Sequence, residues 1–251
     1  MSQRKEIRIN KLLSEAGICS RREADRQIEA GNVLIDGNTA ECGSKVMEGQ
    51  TVTYQGKVVI PKEEPVLLVF NKPIGVVCTS DKREKDNIID YINYPSRIYP
   101  IGRLDKDSHG LILLTNQGAI VNKIMRSGNH HEKEYIVTVN KPVSETFLKG
   151  MESGVFLKEL DVVTRKCKVE KISKFRFKII LTQGYNRQIR RMCSFFTYSV
   201  IDLKRTRVMN IELHDLRDGT YRLVTTDEWQ HLIEQISESS NLPVQQRDKE
   251  C

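Results

Sequence analysis

Residues 101–115 read Ile-Gly-Arg-Leu-Asp-Lys-Asp-Ser-His-Gly-Leu-Ile-Leu-Leu-Thr. Within them, Leu111-Ile112-Leu113-Leu114 is an unbroken apolar run of strand length, bounded by Gly110 and by Thr115-Asn116. Such a run predicts a strand buried on both faces, hence an interior place in a sheet. Just before it stand Arg103, Asp105, Lys106 and Asp107, with Gly102 and Gly110 permitting tight backbone paths. Charged groups on a loop held by a rigid strand are where catalytic side chains tend to lie. Local physics equally admits a solvated turn, because Asp, Ser and Gly are ordinary turn formers.

Working outward, Val66–Phe70 is a second buried-type strand, closed by Asn71-Lys72-Pro73-Ile74-Gly75. Ahead of it, polar Gln55–Pro65 reads as a linker. Before the linker, Ile9, Leu12, Leu13 and Ala16 form a helical stripe, and Ser20-Arg21-Arg22-Glu23 carries a capping-box pattern for a second helix ending at Gly31. Val33 and Ile35 then alternate into Asp36-Gly37, a hairpin signal.

Downstream, Asn116 is a candidate cap for a helix bearing Ile120, Val121, Ile124 and Met125. Lys133–Val139 alternates, with Tyr135, Val137 and Val139 on one face. Ser144–Gly150 predicts a helix, and Val162–Ile172 and Phe175–Leu181 predict strands. Asn186 is placed to cap a helix over 187–196, on which Arg187, Arg190 and Arg191 can share one broad face. Thr225–Glu228 gives a further capping box, opening a last helix anchored by Trp229; the polar stretch from Ser237 is expected to fray. Many strands and few helices, without regular βαβ alternation, predict an α+β fold with a mainly antiparallel sheet. The expected division is a small module over 1–60 and a larger domain over 61–251.

The chain has 251 residues and a formal net charge of +7, with a pI near 9.0. An anionic partner is favoured. Lys204, Arg205 and Arg207 follow one another in a predicted strand, opposed only by Asp202, and read as an RNA-facing stripe. The six cysteines, Cys19, Cys42, Cys78, Cys167, Cys193 and Cys251, are scattered without a CxxC pair. Neither a zinc site nor a disulfide framework is expected. No apolar stretch approaches the roughly 20 residues that span a bilayer, and the start lacks a signal-peptide pattern. A cytoplasmic protein is expected.

Gly102-Arg103-Leu104-Asp105, followed by Ser108, Gly110 and the apolar strand, resembles the catalytic motif of pseudouridine synthases, more narrowly the RsuA/RluB/RluE/RluF group that modifies ribosomal RNA. Asn71-Lys72-Pro73, Lys133-Glu134-Tyr135 and Gln183–Met192 are similar to that family's other motifs. Ile9–Leu13, Cys19–Ala24 and Gly31–Gly37 resemble the S4 RNA-binding domain. The resemblance implies an S4 module joined to a mixed, mainly antiparallel synthase sheet. The implied reaction isomerises uridine in ribosomal RNA, from 23S RNA by the narrower likeness, with no cofactor or metal. It implies Asp105 as the catalytic aspartate, Tyr135 stacking on the target base, and Arg190 pairing with Asp105. Arg103 would fill the space left by the flipped nucleotide. Lys11, Arg21, Arg22 and Arg26 would form the S4 basic face, while Arg187, Arg191, Lys204, Arg205 and Arg207 would meet RNA elsewhere, and Lys72 would either touch RNA phosphate or pair with an acid inside the fold. The expected partner is a large-subunit stem-loop, met by a monomer.

Two other classes stand beside this reading. One is a non-catalytic RNA-binding or ribosome-assembly factor. The other takes Asp105-Lys106-Asp107 as the DxD site of a metal-dependent glycosyl-transferring enzyme, against which the intervening lysine and the lack of further acidic ligands count.

Overall fold

The computed structural model describes residues 6–60 and 64–239. Two compact units are present: Met1–Val66 with Pro95–Arg97, and Leu67–Tyr94 with Ile98–Cys251.

The first unit carries α1 (Ile9–Glu15), α2 (Arg21–Glu29), β1 (Val33–Ile35), β2 (Asn38–Thr39), β3 (Val52–Tyr54) and β4 (Lys57–Val58). The strands pair in the order β2-β1-β3-β4. Ile9, Leu13, Ala24, Ile28, Val33, Val46, Val52 and Val59 make its core. The Ser20 hydroxyl accepts the Glu23 N–H at 3.1 Å. Glu23 does not reach back; its carboxylate accepts from Gln27 at 2.8 Å and pairs with Arg26 at 2.5 Å. Only half of the expected capping box therefore forms. The expected linker also starts later than Gln55. Gln55 and Gly56 turn at φ 48° and 76°, which lets Lys57–Val58 pair with β3 and buries Val59. Arg97 closes this unit, donating to the Ser14 hydroxyl at 3.1 Å and to the Cys19 carbonyl.

The second unit is built on β5 (Leu67–Lys72), α3 (Ile88–Ile92), β6 (Tyr99–Ile101), β7 (His109–Thr115), α4 (Gly118–Met125), β8 (Lys133–Val139), α5 (Glu145–Glu152), β9 (Lys168–Ser173), β10 (Arg176–Leu181), α6 (Gln188–Phe195), β11 (Val200–Val208), β12 (Tyr221–Leu223) and α7 (Thr226–Ser237). The main path of the sheet runs β9-β10-β8-β11-β7-β5-β12, with β6 also on β7 and Ile211–Glu212 on β11. Every pairing is antiparallel except β11 with β7. The run Leu111–Leu114 is completely buried, as its composition requires. One apolar core packs α5 and α6 against β8 and β10, and another packs α4 and α7 against β5 and β7. Trp229 is a partly buried member of the second.

Three local expectations are corrected. Residues 162–172 are not one strand: Val162–Val163 pairs with Phe156–Leu157, and β9 starts only at Lys168. Asn116 does not cap α4; Gln117 holds the cap position without a side-chain bond to the helix, and the Thr115 hydroxyl accepts the Gln117 N–H at 2.9 Å. Asn186 does not cap α6; Arg187 does, in the left-handed conformation at φ 51°, ψ 31°. The capping box at Thr225 and Glu228 forms in full. The tail beyond Ser239, with Cys251, lies outside the described residues. Cys19, Cys42, Cys78, Cys167 and Cys193 are free thiols.

At Gly110 the strands leave no room for a side chain. Gly110 sits opposite Arg205 on one side and Lys72 on the other, at φ +97°. A Cβ here would lie 2.3 Å from the Arg205 backbone oxygen. At Gly102 a Cβ would meet only the movable end of Met125. Replacing Gly110 with Ala is therefore expected to lower unfolding free energy by at least about 2 kcal/mol, from backbone strain plus this overlap. Urea unfolding of the Gly110→Ala protein checks this, and an unchanged midpoint would contradict it.

Candidate active site

The loop between Ile101 and His109 is held from several sides before it presents any side chain. The Gly75 N–H donates to the Lys106 carbonyl at 2.9 Å. The Leu104 N–H reaches Cys78 Sγ at 3.4 Å, and Lys106 pairs with Asp86 at 3.0 Å. Asp107 receives both arms of the Arg187 guanidinium, at 3.2 and 2.9 Å. Such a fork is geometrically selective as well as charge-assisted. Arg187 holds the Asp107 carboxyl below the usual carboxylate range, against the effect of burial and with help from Arg190.

This wiring presents Asp105 to a cavity of about 470 Å³, lined also by Arg103, Lys133, Tyr135, Gln183, Arg187 and Arg205. Asp105 is about one-third exposed (32%), and Arg187 Nη1 lies 3.8 Å from its carboxylate. The expected pairing of Arg190 with Asp105 is not made. Arg190 Nη2 donates to the Asp107 carbonyl at 2.9 Å and to the Ser108 hydroxyl at 3.1 Å. It also lies 3.3 Å from the Asp107 carboxylate. The reason is local: the left-handed cap sets Arg187 beside the carboxylates, and Arg190, almost a turn further on, meets the main chain after Asp105.

Tyr135 is aimed by a bulge. Glu134 stands opposite Arg207 but Tyr135 stands opposite Arg205, leaving Thr206 as the extra residue. Bulges re-aim side chains in this way. Here the bulge places Lys204, Thr206 and Arg207 around a separate cavity with Glu134, Ile136 and His214, while Arg205 joins Tyr135 at the Asp105 cavity.

The expected basic stripe of Lys204, Arg205 and Arg207 is thus split. Arg205 is 2% exposed and its Nε donates to the Leu111 carbonyl at 2.6 Å. Arg207 pairs with Glu132 at 2.9 Å. Lys72 is also corrected: it is fully buried and donates to the Pro73 and Val76 carbonyls at 3.0 and 2.8 Å. It braces a turn and is closed to RNA. Arg191 faces Glu159, in a neighbouring cavity with Phe156 and Phe195. Arg103 is exposed on the cavity and forms no ion pair among the described residues. In the first unit Lys11 lies 3.7 Å from Glu15, Arg21 donates to Asn10 at 3.3 Å, Arg26 pairs with Glu23, and Arg22 is exposed.

Sequence reasoning passed over Lys133 and Gln183, both buried and both on this cavity. Lys133 was within reach: it stands two residues before Tyr135 on an alternating strand, hence on the same face.

Comparisons with known proteins agree with this fold. The family described as RNA pseudouridylate synthase matches residues 66–195, and the S4 domain matches residues 7–52. The chain belongs to the RNA pseudouridylate synthase family. It is 52% identical over 237 residues to the dual-specificity RNA pseudouridine synthase RluF of Escherichia coli K12, covering 94% of this chain and 81% of that one. It is 34% identical to the ribosomal large subunit pseudouridine synthase B of Bacillus subtilis, covering 90% and 95%. A crystal structure of a pseudouridylate synthase superposes with a TM-score of 0.66 at 28% identity, covering 90% of this chain and 99% of that one.

Lys133 carries a measurable signature. Burial, and then Arg205, push its ammonium down to about 8 from 10.5. The folded protein therefore binds fewer protons than the unfolded chain between these values, so Lys133 makes stability rise with pH across that window. Below it, the buried charge costs about 1.4 kcal/mol for each unit of depression. The Lys133→Met protein should be more stable than wild type at pH 7, and the gap should shrink toward pH 10. Urea unfolding of both proteins at the two pH values measures this, and a constant gap would refute the origin in titration.

Proposed function

We propose that this protein isomerises uridine in ribosomal RNA of the large subunit to pseudouridine, with Asp105 as the reacting carboxylate. The observation carrying this reading is the shared cavity. Asp105, held on a braced loop, and Tyr135, aimed by a bulge, line one pocket together with the exposed Arg103, which has no ion pair among the described residues. The relatives named for ribosomal RNA support the substrate class. A ribosomal substrate implies work in the cytoplasm, and one chain supplies every residue invoked, as a monomer would. Among the described residues, no helix is long and apolar enough to cross a membrane.

In this reading Arg103 enters the RNA stack as the uridine turns out, and the base stacks on Tyr135. The Asp105 carboxylate then attacks C1′ as the C1′–N1 bond breaks, or removes the C2′ proton to give a glycal. Either way the bonding pair leaves with the uracil. The ring rotates and C5 joins C1′ as the Asp105–C1′ ester bond breaks or, from the glycal, as C2′ takes its proton back; the C5 proton is then lost and N1 is protonated. Atoms and charge balance without an oxidant or an energy source. Arg190 serves here by fixing the loop main chain, and Arg187 by holding Asp107 while standing beside Asp105.

The first unit would supply affinity, through Lys11, Arg21, Arg22 and Arg26, and residues from 67 onward the chemistry. The DxD alternative is disfavoured by Asp107, whose two oxygens are already occupied by Arg187.

The test of the chemistry is Asp105→Asn on isolated ribosomal RNA, with pseudouridines mapped by nucleotide. Product should vanish while RNA affinity holds, and retained turnover would remove Asp105 from its role. The test of the division is a salt titration of Arg21→Ala/Arg22→Ala. Each lost phosphate contact should flatten the log–log slope by roughly 0.7 on single-stranded RNA, with the rate at saturating enzyme unchanged. An unaltered slope would move the RNA contacts elsewhere.

A further inference from the structure

The fold buries two cations beside the reacting site without giving them an anion. Lys133 is 4% exposed and Arg205 2% exposed. Both line the cavity that holds Asp105 and Tyr135. Neither has an ion pair among the described residues. The acceptor for Lys133 Nζ is the His131 carbonyl at 3.2 Å. Arg205 satisfies Nε on the Leu111 carbonyl, and its Nη2 is buried without a partner. The charge that bears on Lys133 is that of Arg205, which opposes its ammonium. Buried charges are normally paired, and leaving two of the same sign together works against folding.

A group that bears negative charge only while the reaction runs would resolve this. Cleavage of C1′–N1 sends the bonding pair to the uracil, and the charge spreads over N1, O2 and O4. Phosphates suit the cations less well, because they come with the RNA backbone at the open rim, where Arg103 and Arg187 stand. Lys133 lies two residues from Tyr135 on one strand face, about 7 Å along it. A ring stacked on Tyr135 thus has an edge within reach of a side chain as long as that of Lys133.

Resting on the reading of the site given above, we propose that Lys133 is a further catalytic residue, with Arg205 beside it: its ammonium donates to the carbonyl edge of the departing uracil anion. The bond is weak to neutral uridine and strong to the anion, so it acts on the barrier more than on binding. When C5 joins C1′ and N1 takes up a proton, the ring is neutral again and the product is released from that hold. Lys133 remains an ammonium throughout.

The experiment compares wild type, Lys133→Met and Lys133→Arg in single turnover at saturating enzyme, on a ribosomal RNA fragment that the wild type modifies. The Kd for the fragment and the urea midpoint at pH 7 are measured alongside. The Met variant should lose about 10²- to 10³-fold in rate, bind RNA within about twofold of wild type, and unfold at higher urea. The Arg variant should recover part of the rate, since it restores the charge. An unchanged Met rate would overturn the inference. Weaker binding with the saturated rate intact would overturn it in favour of a phosphate contact. A Met variant less stable than wild type would also overturn it, because the lysine would then be structural. A wild type inactive on every ribosomal RNA tested would instead unseat the proposed substrate.

Discussion

The parallel approach of β11 to β7 at Gly110 is the constraint on which the rest of the second unit depends. Parallel strands need a long crossover between them, and here the chain from β7 returns to its side only after α4, β8, α5, β9, β10 and α6 have been laid down. The approach itself requires a residue without a side chain, because a Cβ at Gly110 would run into the Arg205 backbone. Closing that seam puts Lys72, Gly110, Arg205 and Tyr135 in successive registered strands. The loop that enters β7 is thereby carried to the strand that bears Tyr135.

Charge is then sorted by depth. Arginines near the surface, Arg187 and Arg190, hold the loop through Asp107 and its carbonyl. Beneath them, Lys72, Lys133 and Arg205 are cations taken into the sheet, satisfied in part by backbone carbonyls. Surface ion pairs contribute little to stability, so the value of the first set lies in positioning. Of the second set, Lys72 braces a turn, whereas Lys133 and Arg205 line the Asp105 cavity without an ion pair among the described residues, and burying such charges costs stability.

Much of the site could be read in advance. The apolar run Leu111–Leu114 predicted a buried strand, and the loop before it carries Asp105 into the cavity. The alternation around Tyr135 predicted both a strand and the face on which the ring stands. Errors gathered where one residue's conformation decides the outcome. Asn186 was the better cap by type, yet Arg187 takes the position in a left-handed turn, and with that the guanidinium beside Asp105 is Arg187 and not Arg190. The stripe at Lys204, Arg205 and Arg207 failed for a similar reason, since one unpaired residue in the strand reverses which side chain faces which side.

Read alone, the residues were enough for the two-part organisation, most of the elements and the family, and they singled out Asp105 as the candidate aspartate. These depend on periodicity and on motifs a few residues long, both of which are local. Which cation stands beside Asp105, and the burial of Lys72 and Arg205, were settled by tertiary structure alone. Those outcomes depend on strand register and on a single bulge. A shift of one residue in a pleated strand sends a side chain to the opposite face, and pairing between strands nearly a hundred positions apart leaves no trace in the spacing of residues along either one.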